Sequence, residues 1–432
     1  MEFKKLRQGK ENYADIFRGS QKRRFMDKST IDQAQVLDIL WKKTKHKFDI
    51  SKSFLNKISR FVGKFQKIKK TKLFLKIIYL KKKLNFLCKF IILLEEKKES
   101  TFSLLGNLIH NNSFSGKKSR IVHRKICLGF LDFKKKHIKY NHVELLKMIG
   151  GVDYEKGIKI AGNRGYFFKG IGLLLNNSII RYGLDFLVKK KFIALQTPFF
   201  MDKCLLSKCS QLEDFRDQLY SLNEDENKYL IATSEQPISI FHIDEKISRV
   251  NFPLKYVGYS TCFRKESGSH GRDTSGIFRV HQFEKIEQFI YCDSKDLKSW
   301  SSFGELLENV KNFYSSLDIQ FKLVNISSQS LNNAAAMKID LLGFFPKSQT
   351  YRELVSCSNC TLFQSRKINT QIENFSSETN HDYVCMLNST LCATSRLICC
   401  ILENYQQNFG VTIPRVLRNY TGISLAPFRD RK

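Results

Sequence analysis

The sequence predicts an α+β protein, an antiparallel β-sheet flanked by helices and preceded by a helical arm folded back on itself. Three observations lead there. The first 115 residues carry apolar residues at three- and four-residue spacing, with no proline and only Gly9, Gly19, Gly63 and Gly106, which is the pattern of long amphipathic helices. Beyond them, strand-length apolar runs separated by Gly, Asn and Asp alternate with helical stretches. No Gly-x-Gly-x-x-Gly turn opens a helix, which argues against a doubly wound parallel sheet.

In the arm, Leu55, Ile58, Phe61, Val62 and Phe65 form one apolar seam. Leu73, Ile77, Leu80, Leu84, Leu87 and Ile91 form a second. Two antiparallel helices would bury these seams against each other. Between Ser51 and Ser100 stand fifteen Lys and Arg against Glu95, Glu96 and Glu99, so the outer face is positive. That surplus favours contacts to phosphate over a merely solvated face.

The polar stretch Asn111 to Arg124 reads as a linker, placing a boundary between an arm at 1–115 and a larger domain at 116–432. The larger domain opens with IKIAGNRGYFFKGIG, then a long helix near Ile171 to Lys190 and a strand at FIALQTP. Further strands are expected around Tyr229, Tyr256, Ile277 and Glu353. The helix has an apolar face in Leu174, Ile179, Leu184 and Leu187, which suits a core helix.

Composition narrows the class of function. The 432 residues are 42% apolar, enough for a packed core, and carry a formal net charge of +32 with a pI near 9.7. Such an excess points to a polyanionic partner, nucleic acid before anionic membrane, although compositional drift toward Lys, Phe, Ile and Asn would supply part of it. The start MEFKKLRQGKENYADIF is too polar for a signal peptide. The apolar run Leu73 to Leu94 is cut by Lys76, Lys81, Lys82, Lys83 and Lys89, charges costly inside a bilayer. A soluble cytoplasmic protein is expected. Its twelve cysteines lack the spacing of a disulfide framework and are expected to be reduced, Cys399 and Cys400 serving as small core residues.

Chemistry concentrates in Cys262 to Glu287, CFRKESGSHGRDTSGIFRVHQFEKIE. Arg264 can fork onto a carboxylate and a phosphate, Glu266 follows two residues on, and an exposed loop from Glu266 to Thr274 separates two strands. A second cluster is RELVSCSNC, where Glu353 and Ser356 are hard oxygen donors. Cys357 and Cys360 there could also be half of a zinc site, but no second ligand pair follows at suitable spacing. A third cluster runs through MLNSTLCATSR to Arg396. In YLIATSEQPI, Thr233 or Ser234 would cap a short helix carrying Pro237 early, a reading compatible with a binding role for the same loop.

These clusters resemble, in order, the signature motifs of class II aminoacyl-tRNA synthetases. The wording Gly-Ser-His-Gly-Arg-Asp-Thr followed by Phe-Arg-Val-His-Gln-Phe-Glu-Lys-Ile-Glu is similar to that of seryl-tRNA synthetases of the eukaryotic cytosolic type. The resemblance covers nearly all of Gly162 to Tyr405, and it implies a class II antiparallel sheet with an N-terminal antiparallel coiled coil. It also implies ATP as substrate, Mg2+ as cofactor, and L-serine and tRNA-Ser as partners, with charging of tRNA-Sec left open.

Residue by residue, the resemblance assigns Arg264, Glu266 and Arg396 to catalysis. It gives the serine site to Thr233, Ser234, Glu235, Arg264, Glu287, Asn388 and Thr390. The ATP site takes Arg264, Lys265, Glu266, Val280, His281, Gln282, Phe283, Glu353, Leu354, Val355, Ser356 and Arg396, with Mg2+ on Glu353 and Ser356. Within it, Glu266 would read the adenine amino group, and Phe283 and Arg396 would enclose the ring. The stretch GNRGYFF to Pro198 resembles the first class II motif, which in the family forms a two-fold dimer interface. An extended C-terminal tail is expected to be absent or minimal. The implied function is serine–tRNA ligation, and the alternative is an inactive, synthetase-like RNA-binding protein.

Overall fold

The computed structural model of the chain describes residues 11–64, 71–116, 119–125, 139–209, 218–223, 227–266, 275–295, 297–373 and 382–429. The chain divides into two compact units, residues 2–108 and 109–432.

The first unit is built of α1 (Glu11–Arg23), α2 (Ser29–Lys64) and α3 (Thr71–Ser103). Leu80, Leu84, Leu87, Ile91 and Leu94 alternate at spacings of four and three and are buried where α3 runs along α2, each contributing roughly 1.5–3 kcal/mol. Lys98 lies 4.1 Å from the ring centre of Trp41, and Arg18 ties α1 to α2 through Asp32 at 2.7 Å. Leu55, Ile58, Val62 and Ile77 are half-buried. Phe61, expected in the seam, is exposed, because it flanks the line through Ile58 and Val62 and does not lie on it. The expected seam position Phe65 lies outside the described residues.

The second unit is organised by an eight-stranded sheet. Its strands are β1 (Arg120–Lys125), β2 (Ile193–Gln196), β3 (Leu254–Phe263) and β4 (Gln282–Cys292), with β5 (Phe321–Asn325), β6 (Met337–Phe345), β7 (Thr350–Thr361) and β8 (Cys385–Ala393). The order is β1-β5-β6-β7-β8-β4-β3-β2, antiparallel throughout except for the parallel pair β2 and β3. Strand β8 is buried at every position, as a central strand covered on both faces must be. Helices α4 (His142–Met148), α5 (Tyr154–Ala161), α6 (Ile171–Val188), α7 (Lys298–Ser316) and α8 (Thr394–Tyr405) accompany the sheet. Leu306, Val310, Phe313 and Tyr314 of α7 and Leu397, Ile398 and Ile401 of α8 are fully buried in the main core.

Three further expectations are corrected. The stretch taken for a linker, Asn111 to Arg124, ends in β1, which pairs with β5 at the sheet edge, where charged residues such as those of RIVHRK are usual. Ahead of it Asn325 Nδ2 donates to Asn112 O (2.9 Å) and Ile109 packs on Leu331 and Ala335. The second unit therefore begins at Ile109. Around Ile277 there is a turn, not a strand, and β4 starts only at Gln282. On α6 the buried stripe is Leu175, Ile179 and Leu187, while Leu174 is exposed, because the four-residue spacing runs through Leu175. By length and composition α6 could cross a membrane, yet that stripe belongs to the core.

Candidate active site

Strands β3 and β4 form an antiparallel hairpin in register from Phe263 and Gln282 to Leu254 and Tyr291. Pairing continues one step further, where Arg264 N donates to His281 O (2.9 Å). His281 Nδ1 lies 3.0 Å from Arg264 O and 2.9 Å from Tyr220 Oη, and Lys265 N donates to Gln218 O (2.9 Å). This end of the hairpin is thereby held rigid. It opens on a cavity of about 370 Å³ walled by β4, β6, β7, β8, the first turn of α8 and the residues just past the end of β3. The loop wording Gly268 to Thr274 lies outside the described residues.

At one side of the cavity the Arg264 guanidinium lies 5.3 Å from the ring centre of Phe283, and its Nε donates to Ala232 O (3.3 Å). Glu266 receives Arg279 Nη1 at 3.2 Å. Arg396, carried by α8, stacks on Phe278 at 5.2 Å and meets Glu353 Oε1 at 3.5 Å. Three guanidinium groups and two aromatic rings around one concavity suit a nucleotide with several phosphates.

Strand β7 presents Glu353, Leu354 and Ser356 to this cavity, which strict alternation along a strand would forbid. A register shift makes it possible: Val355 pairs with Leu341 and Glu353 with Leu342, so Leu354 is an extra residue on β7. Ser356 Oγ donates to Asp340 Oδ1 (2.8 Å), and Lys338 Nζ lies 3.5 Å from Asp340 Oδ2. Burial pushes the Asp340 carboxyl up to about 6, opposed by Lys338. A half-exposed carboxylate beside a serine hydroxyl whose proton is engaged elsewhere offers oxygen lone pairs to a hard cation. The donor set fits Mg2+.

The opposite side is a small polar compartment. Glu235 Oε1 accepts from Asn388 Nδ2 (2.8 Å) and Gln364 Nε2 (3.4 Å). Half-buried in the cavity wall, its carboxyl is pushed up to about 7 by burial and by Glu287, against the pull of Lys285. Lys285 forms an ion pair with Glu287 and donates to Thr233 Oγ1 (3.1 Å), and Thr390 Oγ1 donates to Glu287 Oε2 (3.4 Å). The Thr233 hydroxyl also accepts from Glu235 N (3.3 Å) at the start of the short helix Glu235–Ser239. A carboxylate for an ammonium group, beside a hydroxyl and carboxylate pair, matches a small hydroxy amino acid.

The cavity brings together Thr233, Glu235, Arg264, Glu266, Val280 and Phe283 with Glu287, Glu353, Leu354, Ser356, Asn388, Thr390 and Arg396. It does not take in Ser234, whose hydroxyl donates to Gly258 O (3.5 Å) under the helix. Lys265 and His281 contribute to the hairpin junction, Gln282 is exposed, and Val355 is in the core. Sequence reasoning missed Lys285, Arg279, Phe278 and Lys338, which line the cavity, and Asp340, which accepts from Ser356. Lys285 was findable, since it shares a strand face with Phe283 and Glu287. Asp340 was not, because its pairing with Ser356 across β6 and β7 leaves no local trace.

The family described as the tRNA synthetase class II core domain (G, H, P, S and T) matches residues 218–405. The cytoplasmic serine–tRNA ligase of Arabidopsis thaliana is 44% identical over 434 residues, covering 99% of this chain and 96% of that one. Among solved structures, the cytoplasmic serine–tRNA ligase of Naegleria fowleri in complex with AMP superposes with a TM-score of 0.83 at 40% identity, covering 97% and 96% of the two chains. The seryl-tRNA synthetase of Pyrococcus horikoshii complexed with ATP gives 0.86 at 31% identity over the full length of both. With a class II hairpin, a polar compartment beside it and near full-length likeness to these enzymes, the chain belongs to the seryl-tRNA synthetases, a family of class II aminoacyl-tRNA synthetases.

Proposed function

We propose that this chain is a serine–tRNA ligase of the cytoplasm, which activates L-serine with ATP to seryl-adenylate and transfers serine to the 3′ end of tRNA-Ser. The observation that supports the reading is that Arg264 lines one cavity together with the carboxylates Glu235 and Glu287 and with Arg396, Glu353 and Ser356. Serine enters with its ammonium on Glu235 and its hydroxyl at Glu287 and Thr390, Asn388 holding Glu235 in place. Alanine would leave that buried polar pair unmatched, which is a basis for rejecting it.

Arg264 binds the serine carboxylate and the α-phosphate together and so aligns the attack. A carboxylate oxygen forms a bond to the α-phosphorus, the bond to the bridging oxygen breaks, and pyrophosphate leaves. Arg396 and Arg279 offset negative charge on that leaving group. Glu266 accepts from the adenine amino group and Phe283 stacks on the ring. Mg2+, held by Glu353 and Ser356, would neutralise phosphate oxygens when bound. In the second half-reaction a ribose hydroxyl of the terminal adenosine attacks the acyl carbon, and AMP leaves.

The basic arm supports a role in gripping tRNA-Ser by shape and phosphates. A homodimer through the α6 region is supported by the exposed Leu173 and Leu174, and light scattering at micromolar protein reads it directly. The function is tested by ATP–pyrophosphate exchange with each of the twenty amino acids, without tRNA, at millimolar Mg2+. Exchange with serine alone is expected. A folded protein that binds tRNA and shows no exchange with any amino acid overturns the reading.

A further inference from the structure

Arg164 stands 102 residues ahead of Glu266 in the chain yet meets it in the fold. It belongs to the turn 162–165 after α5, in which Gly165 N donates to Gly162 O (3.0 Å) and both Gly162 (φ +75°) and Arg164 (φ +69°) adopt left-handed backbone. The turn is pressed onto α5 without slack. A Cβ on Gly165 would stand 2.4 Å from Gly157 O, and one on Gly157 would stand 2.3 Å from Tyr166 Cα.

From this seat two side chains reach the two strands of the hairpin. Tyr166 Oη donates to Gln282 O (3.3 Å) at the start of β4. Arg164 Nη1 donates to Glu266 O (3.3 Å), just past the end of β3, and lies 3.9 Å from Glu266 Oε2. Glu266 itself has φ +49°, a region that side chains other than glycine's occupy at a cost and only when neighbours hold them there. Its side chain is 10% exposed, and Arg279 binds the same Oε2 at 3.2 Å. Two guanidinium groups thus set the carboxylate, and Arg164 also holds the carbonyl.

We infer that Arg164 is a positioning residue for the nucleotide: it keeps Glu266 in its left-handed conformation with the carboxylate aimed into the cavity. The inference rests on the reading of Glu266 as the acceptor for the adenine amino group. Arg164 does not touch the substrate in this arrangement, so its removal acts through Glu266.

The test is serine-dependent pyrophosphate exchange with ATP and with purine riboside triphosphate, which lacks the amino group, for the parent protein, Arg164→Ala, Arg164→Lys and Glu266→Ala. The parent is expected to prefer ATP about a hundredfold, the worth of a hydrogen bond to a charged group. Arg164→Ala raises the KM for ATP about tenfold, lowers the preference to about tenfold and leaves the KM for serine within twofold, the loss of one charge-assisted contact. Arg164→Lys, which keeps charge without the fork, falls between. A general loss of folded protein would lower both nucleotides alike and leave the ratio unmoved. Full preference in Arg164→Ala, with preference abolished in Glu266→Ala, overturns the inference and leaves the role of Glu266 standing. Full preference in Glu266→Ala overturns that role and the inference with it. If Arg164→Ala does not fold, Arg164→Lys decides on the same ratio, and full preference there overturns the inference.

Discussion

At and beside the cavity, Glu287 and Asp340 are buried and Glu235 is half-buried, and each has a partner at hydrogen-bonding or ion-pair distance. Along α3, by contrast, Lys81, Lys82, Lys83 and Lys89 are all exposed, on a surface that also leaves Leu75 at 66% and Phe86 at 67% exposure. The contrast follows from what each region has to do. A charge taken out of water costs several kcal/mol unless its partners are fixed, and fixed partners are what let a site sense one hydroxyl or align one attack. A charge on the arm remains solvated and screened, and it contributes to a field that any phosphate backbone of suitable shape can use. Substitutions should therefore have large, specific effects in the first region and small, cumulative ones in the second.

The largest effect is expected from Arg264→Ala, which removes the group proposed to bind the serine carboxylate and the α-phosphate together. Serine-dependent pyrophosphate exchange should fall by about a thousandfold or more, while the midpoint of thermal unfolding stays within a few degrees. Undiminished exchange would remove Arg264 from the chemistry.

Glu235 comes next, and its sign can be worked out. With its carboxyl near 7 in the free protein, it is largely protonated at pH 6 and must lose that proton to pair with the serine ammonium. Serine affinity should rise about tenfold per pH unit below about 7 and level off above it. The same shift lowers the stability of the free protein as pH rises from the ordinary 4.5 toward 7, because the folded state holds the proton longer than the unfolded one. Glu235→Gln should abolish the slope in serine KM against pH. A slope that survives this substitution assigns the titration to another group.

The smallest effect belongs to the arm. Replacing Lys81, Lys82 and Lys83 by Ser should raise the KM for tRNA by about three- to tenfold at physiological salt and flatten its salt dependence by about two in the log–log slope. Exchange without tRNA should not move. A fall in exchange with unchanged tRNA affinity would contradict the division of labour between the two regions.

Much of the site was readable along the chain, because most of its residues lie in short local strings. Arg264 and Glu266 are two apart, Glu353 and Ser356 three apart, and Asn388 and Thr390 two apart on β8. Two-residue spacing survives translation into strands, where alternate residues share a face, whereas Glu353 and Ser356 share the cavity only through the extra residue Leu354 on β7. Less readable was anything that depended on pairing across strands or between distant segments. Asp340 reaches Ser356 only through the β6–β7 register, and Arg164 reaches Glu266 only because α5 and its turn sit beside the hairpin. Ser234 shows the converse, since its string suggested a binding residue and the helix Glu235–Ser239 turns its hydroxyl onto Gly258. Likewise RIVHR read as linker because an edge strand tolerates the charges that disguise it.

Periodicity and composition were enough to specify a helical, basic arm and a separate sheet domain, because the 3.6- and 2-residue periods are local properties of the backbone. The residues expected to face the cavity came instead from the resemblance of short strings to the class II motifs. Which carboxylate is left near neutrality, which serine keeps its lone pairs free, and which arginine holds Glu266 were settled by packing, since burial and the distance to a partner set those energies. Such distances belong to residues 16 or 102 positions apart in the chain, and they exist only once the sheet has closed around them.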